Sequence, residues 1–155
     1  MRFERSAVVD GGVEEVFHLT QDYGRRLQWD PVLRKAELVG GAVEPGVGVR
    51  AWCVSRLGLG METAYVSYKP PHLAAVTMTR GPRLLRRFGG TWEYAPVTES
   101  RTRVTFRYFL EVRPSWLEPM LEPLARGWFA WETRRRVAGL ARFLEKRPRR
   151  LSCAP

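Results

Sequence analysis

The C-terminal stretch constrains the fold of this chain more than any other feature. From residue 115 to residue 144 apolar side chains recur at helical spacing, and no other segment sustains that pattern for as long. Leu117, Met120, Leu121, Leu124, Trp128 and Trp131 form one stripe at i, i+3, i+4, i+7 intervals, continued by Val137, Leu140, Ala141 and Leu144. A helix of this kind must bury its stripe on another element. Ser115-Trp116-Leu117-Glu118 has capping-box spacing, which predicts the helix start there; Pro119 is tolerable so near a start. Pro123 predicts a kink or break. Glu118 and Glu122 lie early, while Arg134, Arg135, Arg136, Arg142, Lys146 and Arg147 lie late, as the helix dipole favours.

What precedes the helix determines what it packs against. Residues 3–10 read as a strand, and Asp10-Gly11-Gly12 turns into a short helix at 13–19 with Val13, Val16, Phe17 and Thr20 on one face. A second helical turn is expected at 22–27, ended by Trp29-Asp30-Pro31 because a residue before proline is pushed out of the α region. Turn-punctuated strands follow at 35–39, 47–56, 61–68, 73–79, 85–94 and 102–112. Gly89-Gly90 predicts a bend or bulge in the fifth of these, which is expected to close at Pro96. In the last, Val104, Phe106, Tyr108, Leu110 and Val112 share one face, and Arg103, Thr105, Arg107 and Glu111 the other. The predicted fold class is α+β: a seven-stranded curved antiparallel sheet wrapped around a long C-terminal helix, with two short helices after the first strand.

Composition narrows the class further. The 155 residues suit one domain, expected at 1–147 with a basic, disordered tail at 148–155. At 45% hydrophobic and 12% aromatic the chain can bury a sizeable core. No stretch of about 18 residues is free of charge, which excludes a membrane-spanning helix. Met1-Arg2-Phe3-Glu4-Arg5 lacks the apolar run of a signal peptide, so the expected location is cytoplasmic. The two cysteines, Cys53 and Cys153, make no disulfide framework, and with His18 and His72 they show no zinc-ligand spacing. No metal and no cofactor is expected.

Three segments carry a family likeness: residues 13–29 (VEEVFHLTQDYGRRLQW) with Asp30-Pro31, then Gly89-Gly90-Thr91-Trp92-Glu93-Tyr94-Ala95-Pro96, then Thr102-Arg103-Val104-Thr105-Phe106. In that order and spacing the chain resembles the START/polyketide cyclase-like (SRPBCC) superfamily, the helix-grip, Bet v 1-like proteins whose fold is shared with the birch-pollen allergen. The resemblance implies a hydrophobic cavity between sheet and long helix, holding lipids, isoprenoids or polyketide-like molecules. Some members are cyclases or dehydratases, while many bacterial members have no demonstrated catalysis.

Candidate ligand-binding residues follow. Trp92, Tyr94, Phe106 and Tyr108 on the strands would face Met120, Leu121, Leu124, Trp128 and Trp131 on the helix, giving apolar area with polar tips. The plain alternative is that they fill a core. Trp29 falls where the resembling proteins place an aromatic beside the cavity entrance; its alternative role is to anchor the short helices. The polar tips of Tyr94, Tyr108 or Arg107 would orient a ligand, although the parity of Arg107 points it outward.

Binding or transport of a hydrophobic small molecule is therefore the leading expectation. The alternative is a cyclase or dehydratase, which needs a base within hydrogen-bond reach of the reacting atom. Its candidate catalytic residues are Glu62 and Tyr65; parity turns Glu93 and Glu111 outward, and neither His18 nor His72 has an acidic partner in view. A second alternative uses the net charge of +10. Arg83, Leu84, Leu85, Arg86 and Arg87, at an expected hairpin end, suit an anionic membrane. Arg134, Arg135 and Arg136, with residues 147–150, suit an adaptor that meets RNA or a ribosome. No aromatic platform is interleaved with those arginines, so nucleic acid is not the expected partner. The oligomeric state is left open.

Overall fold

A computed structural model of the chain describes residues 1–146, so the tail expected at 148–155 and Cys153 lie outside the described residues. The strands are β1 (Arg2–Asp10), β2 (Leu33–Val39), β3 (Arg50–Ser55), β4 (Gly60–Lys69), β5 (Leu73–Arg80), β6 (Leu85–Thr98) and β7 (Arg101–Val112). They form one seven-stranded sheet in the order β1-β7-β6-β5-β4-β3-β2. Every neighbouring pair is antiparallel. Two short helices, α1 (Val13–Gln21) and α2 (Arg26–Trp29), follow β1, and the long α3 (Glu118–Glu145) ends the described chain. The predicted α+β architecture is the observed one, down to the curl of the sheet into a half-barrel. Register shifts in β4 on either side of residues 63–65 help to bend it. No helix among the described residues is long and apolar enough to cross a membrane.

The core lies where α1 and the second half of α3 pack on the concave face. Val16 and Phe17 of α1, Leu140 and Leu144 of α3, and Val104 and Phe106 of β7 are all buried there. α3 comes so close to the segment after α2 that a side chain at Gly139 would put its Cβ 2.7 Å from Cδ of Pro31. The first half of α3 is held to the sheet through Phe129, stacked on Phe3 of β1 and edge-on to Tyr108 of β7, and otherwise stands off it to form one wall of a cleft.

Four local expectations need correction. Ser115 does not cap α3: Ser115–Leu117 is a 3-10 turn running straight into the helix, and Glu118 reaches back to accept a bond from the Val112 N–H at 3.3 Å. Gly89 and Gly90 sit in regular register opposite Phe109 and Tyr108. Gly90 is small because a Cβ there would lie 2.9 Å from the Tyr108 ring. β6 runs through Pro96 to Thr98. The Tyr94 N–H faces the β5 side and donates to His72 O at 2.9 Å, so the Pro96 nitrogen, two residues on, lies on that side beyond the end of β5. Finally, the apolar stripe is the buried face only in the second half of α3, at Leu140 and Leu144. The buried residues are Phe129, Thr133, Arg136, Leu140 and Leu144, whereas Met120, Leu124, Trp128 and Trp131 are exposed.

Candidate functional site

Alternation along the strands builds the floor of the cleft. Met61, Thr63 and Tyr65 of β4, Ala74 and Val76 of β5, Phe88, Gly90 and Trp92 of β6, and Tyr108 and Leu110 of β7 all turn to the concave side. Leu121, Ala125, Trp128, Glu132 and Arg136 of α3, at helical spacing, supply the facing wall. Together they border a cleft of about 910 Å³. Leu59, Leu84, Leu124 and Trp131 rim its mouth.

The inner end of the cleft is polar. Arg26 and Arg136 place their Nε atoms 2.9 Å from the same oxygen, Oδ2 of Asp30. Oδ1 of Asp30 accepts the Val32 N–H at 3.1 Å. Burial alone would raise the Asp30 carboxyl, but Arg136, Arg26 and the Val32 N–H outweigh it and hold the group below the usual carboxylate range. Arg136 further donates to Tyr108 Oη at 2.9 Å and pairs with Glu132 at 3.0 Å. Arg26 donates to Thr20 O at 3.1 Å and lies over the Trp29 and Trp92 rings, 4.8 and 4.7 Å from their centroids. Two buried guanidiniums thus share one buried carboxylate.

Beside them a chain of hydrogen bonds has one direction. The Thr20 hydroxyl donates to the Val16 and Phe17 carbonyls, at 2.9 and 3.0 Å, so at the 2.6 Å contact Tyr94 donates to Thr20. Tyr94 in turn accepts from Gln21 Nε2 at 2.8 Å, and Gln21 Oε1 accepts from Tyr65 at 2.7 Å. With its proton committed to Gln21, the Tyr65 oxygen can only accept, and Tyr23, also on the cleft, stands in hydrogen-bond reach of it. Burial pushes the Tyr65 and Tyr94 hydroxyls well above the ordinary tyrosine value.

The structure brings together some predicted site residues and separates others. Trp92, Tyr108, Leu121, Leu124, Trp128 and Trp131 border the cleft. Trp29, Tyr94 and Phe106 are in the core instead and do not border it. Trp29 is 3% exposed, packed edge-on against Trp92 with no hydrogen-bond partner at Nε1, so it anchors the short helices and is not a mouth residue. Tyr94 spends its hydroxyl on Thr20 and Gln21, and Phe106 packs edge-on against Trp92 with centroids 4.6 Å apart. Met120 points away from the cleft.

The candidate pair Glu62 and Tyr65 is split between the two faces of β4. Tyr65 borders the cleft; Glu62 sits on the convex side, accepting from Thr79 Oγ1 at 2.8 Å and pairing with Arg50 at 3.3 Å. The Thr79 bond leads in holding its carboxyl below the ordinary value. Arg107 also lies on the convex side, between Glu4 and Glu93. Arg136 is buried and leaves the basic patch expected around residue 135. Sequence reasoning missed Gln21, Tyr23, Arg26, Asp30 and Arg136; the i, i+4 spacing of Arg26 and Asp30 was the one local signal.

Residues 1–145 match the model of the family described as polyketide cyclase/dehydrase and lipid transport. A search of curated protein sequences finds no match. Among solved structures, a Thermus thermophilus protein is similar with a TM-score of 0.77 at 16% identity, covering 94% of this chain and 97% of its own. A START superfamily protein from Mycobacterium smegmatis has a TM-score of 0.76 at 14% identity, with 92% and 98% covered. The Zhui aromatase/cyclase from a Streptomyces species has a TM-score of 0.74 at 14% identity, with 95% and 94% covered. At such identities the likeness is one of fold.

Proposed function

The chain belongs to the polyketide cyclase/dehydrase and lipid transport family, and on that premise we propose that it binds a hydrophobic small molecule between the sheet and α3. A lipid, an isoprenoid or a polyketide-like molecule fits the reading, and carriage, sequestration or presentation is the role. The observation that carries it is a cleft of about 910 Å³ with apolar walls and a polar inner end. A ligand there would bury its apolar body against Val76, Phe88, Leu110 and Leu121, at about 25 cal/mol per Å² before the costs of association. An oxygen-bearing end would meet Arg26, Tyr65 and Tyr108.

The cyclase or dehydratase reading has less support. Its base, Glu62, lies on the opposite face of β4, and Asp30 is held by two guanidiniums. Glu132 does border the cleft, but one of its oxygens pairs with Arg136 at 3.0 Å and the other accepts from Trp128 Nε1 at 3.0 Å, so it is engaged as an ion-pair partner and not held ready as a base. The adaptor reading loses Arg136 to the interior.

Native mass spectrometry of the purified protein, followed by organic extraction, tests the proposal. One apolar molecule per chain, identified after release, supports it. A protein that arrives empty and stays empty when long-chain fatty acids, polyprenols and aromatic polyketides are added overturns it.

A further inference from the structure

The outer flank of α3 carries apolar surface that continues past the cleft into solvent. Met120, Leu124, Trp128 and Trp131 fall within one narrow strip of the helix surface, and Met120 and Leu124 are 68% and 71% exposed. Trp116, one turn earlier in the 3-10 turn, is also exposed. Leu59 and Leu84 come from the β3–β4 and β5–β6 turns to the same mouth of the cleft. Three separate parts of the chain therefore bring large apolar side chains to one end of the molecule. A bound ligand would touch Leu124, Trp128 and Trp131, but Met120 does not border the cleft and would stay in water.

The charge around this rim selects the partner. Arg83 is exposed on the turn that carries Leu84, Arg86 and Arg87 are exposed at the start of β6, and Arg135 lies 5.1 Å from the Trp131 ring centroid. Nearby carboxylates are already engaged: Glu111 with Arg87, Glu122 with Arg126, and Glu132 with Arg136. Arg83 and Arg86 form no ion pair among the described residues. A second copy of a chain carrying a net charge of +10 would bring the same arginines against its own in a two-fold contact. An anionic bilayer instead accepts both parts, with tryptophans at the headgroup level and leucines below them.

We propose that the rim formed by Met120, Leu124, Trp128, Trp131 and Leu84, flanked by Arg83 and Arg86, docks the protein on anionic phospholipid membranes with the cleft mouth facing the bilayer. The contact is peripheral and reversible, and each arginine contributes through the surface potential of the leaflet. It goes beyond the binding reading and stands on Met120, Arg83 and Arg86, which take no part in the cleft.

Vesicle flotation with the full chain tests this without any cleft ligand, so its failure leaves the binding reading intact. The wild type is expected to float with mixed phosphatidylcholine–phosphatidylglycerol vesicles at physiological salt and not with pure phosphatidylcholine. Brominated lipids should then quench the rim tryptophans. Met120→Asp should abolish flotation, and Arg83→Gln or Arg86→Gln should each weaken it about fivefold. Val43→Asp, at the opposite end of the sheet and 92% exposed, should leave it unchanged. Thermal melts establish that each variant folds. The proposal is overturned if the wild type floats with neither vesicle, or if Val43→Asp and Met120→Asp behave alike. It is equally overturned if the wild type is a dimer in solution that Met120→Asp converts to monomers.

Discussion

Arg136 of α3 reaches Asp30, more than a hundred residues earlier, with Nε 2.9 Å from Oδ2, and this buried contact locks the long helix onto the turn after α2. Arg26 makes the same contact at 2.9 Å from the other side, so removing the carboxylate leaves two buried guanidiniums facing each other. Asp30→Asn should therefore cost about 3–5 kcal/mol, read from urea denaturation.

The same pair has a pH signature. The Asp30 carboxyl is held below its unfolded value, so its contribution is complete above pH ~4 and is lost as pH falls through the lower folded value. Acid unfolding of the wild type should be steeper than that of Asp30→Asn, and equal steepness would contradict the account.

Alkali should act through the tyrosines. Tyr23, Tyr65, Tyr94 and Tyr108 are all raised, chiefly by burial. A folded value raised above the unfolded one means stability that is intact below pH ~10 and lost as pH rises further. Tyrosinate absorbance should then appear together with loss of secondary structure, not before it.

Gly139 leaves no room for a Cβ against the end of α2 and Pro31. Gly139→Ala would gain helix propensity, yet its Cβ would run into the Trp29 carbonyl oxygen and sit 2.7 Å from Cδ of Pro31. The clash should win, destabilising by about 1–3 kcal/mol in a denaturant titration.

Glu62 and Tyr65 separate structure from site. Glu62→Gln, on the convex face, should leave both ligand binding and stability nearly unchanged. Tyr65→Phe removes the donor to Gln21 Oε1 and should cost about 1–3 kcal/mol of stability and alter ligand preference. Calorimetric binding and thermal melts on both variants check this.

How legible the molecule was depends on the range of the interactions involved. The strands of β7 and β6 could be read because period-two alternation is local, and the order of elements followed from it. The inward face of α3 could not. In its middle turns that face sets a single aromatic, Phe129, beside the polar Thr133 and Arg136, and Arg136 belongs inside only because Asp30 waits there. The more apolar stripe of Met120, Leu124, Trp128 and Trp131 stays partly in solvent at the open side of the cleft, so hydrophobicity alone marked the cleft border but not the buried face. Trp29, Tyr94 and Phe106 were visible as aromatics, but whether an inward aromatic meets a cleft or another side chain is decided by the path of α3, far along the chain. The splitting of Glu62 from Tyr65 was a matter of parity, hidden because β4 carries apolar residues on both faces.

The measurement that bears most directly on the central claim is native mass spectrometry of the wild type beside Val76→Phe, a variant that fills the cleft from its floor. Both are titrated with the molecule extracted from the wild type, and melts confirm that both fold. The account predicts one equivalent bound to the wild type and a loss of tenfold or more in the filled variant, about 1.4 kcal/mol. Equal binding to both proteins would place the ligand elsewhere and contradict the account.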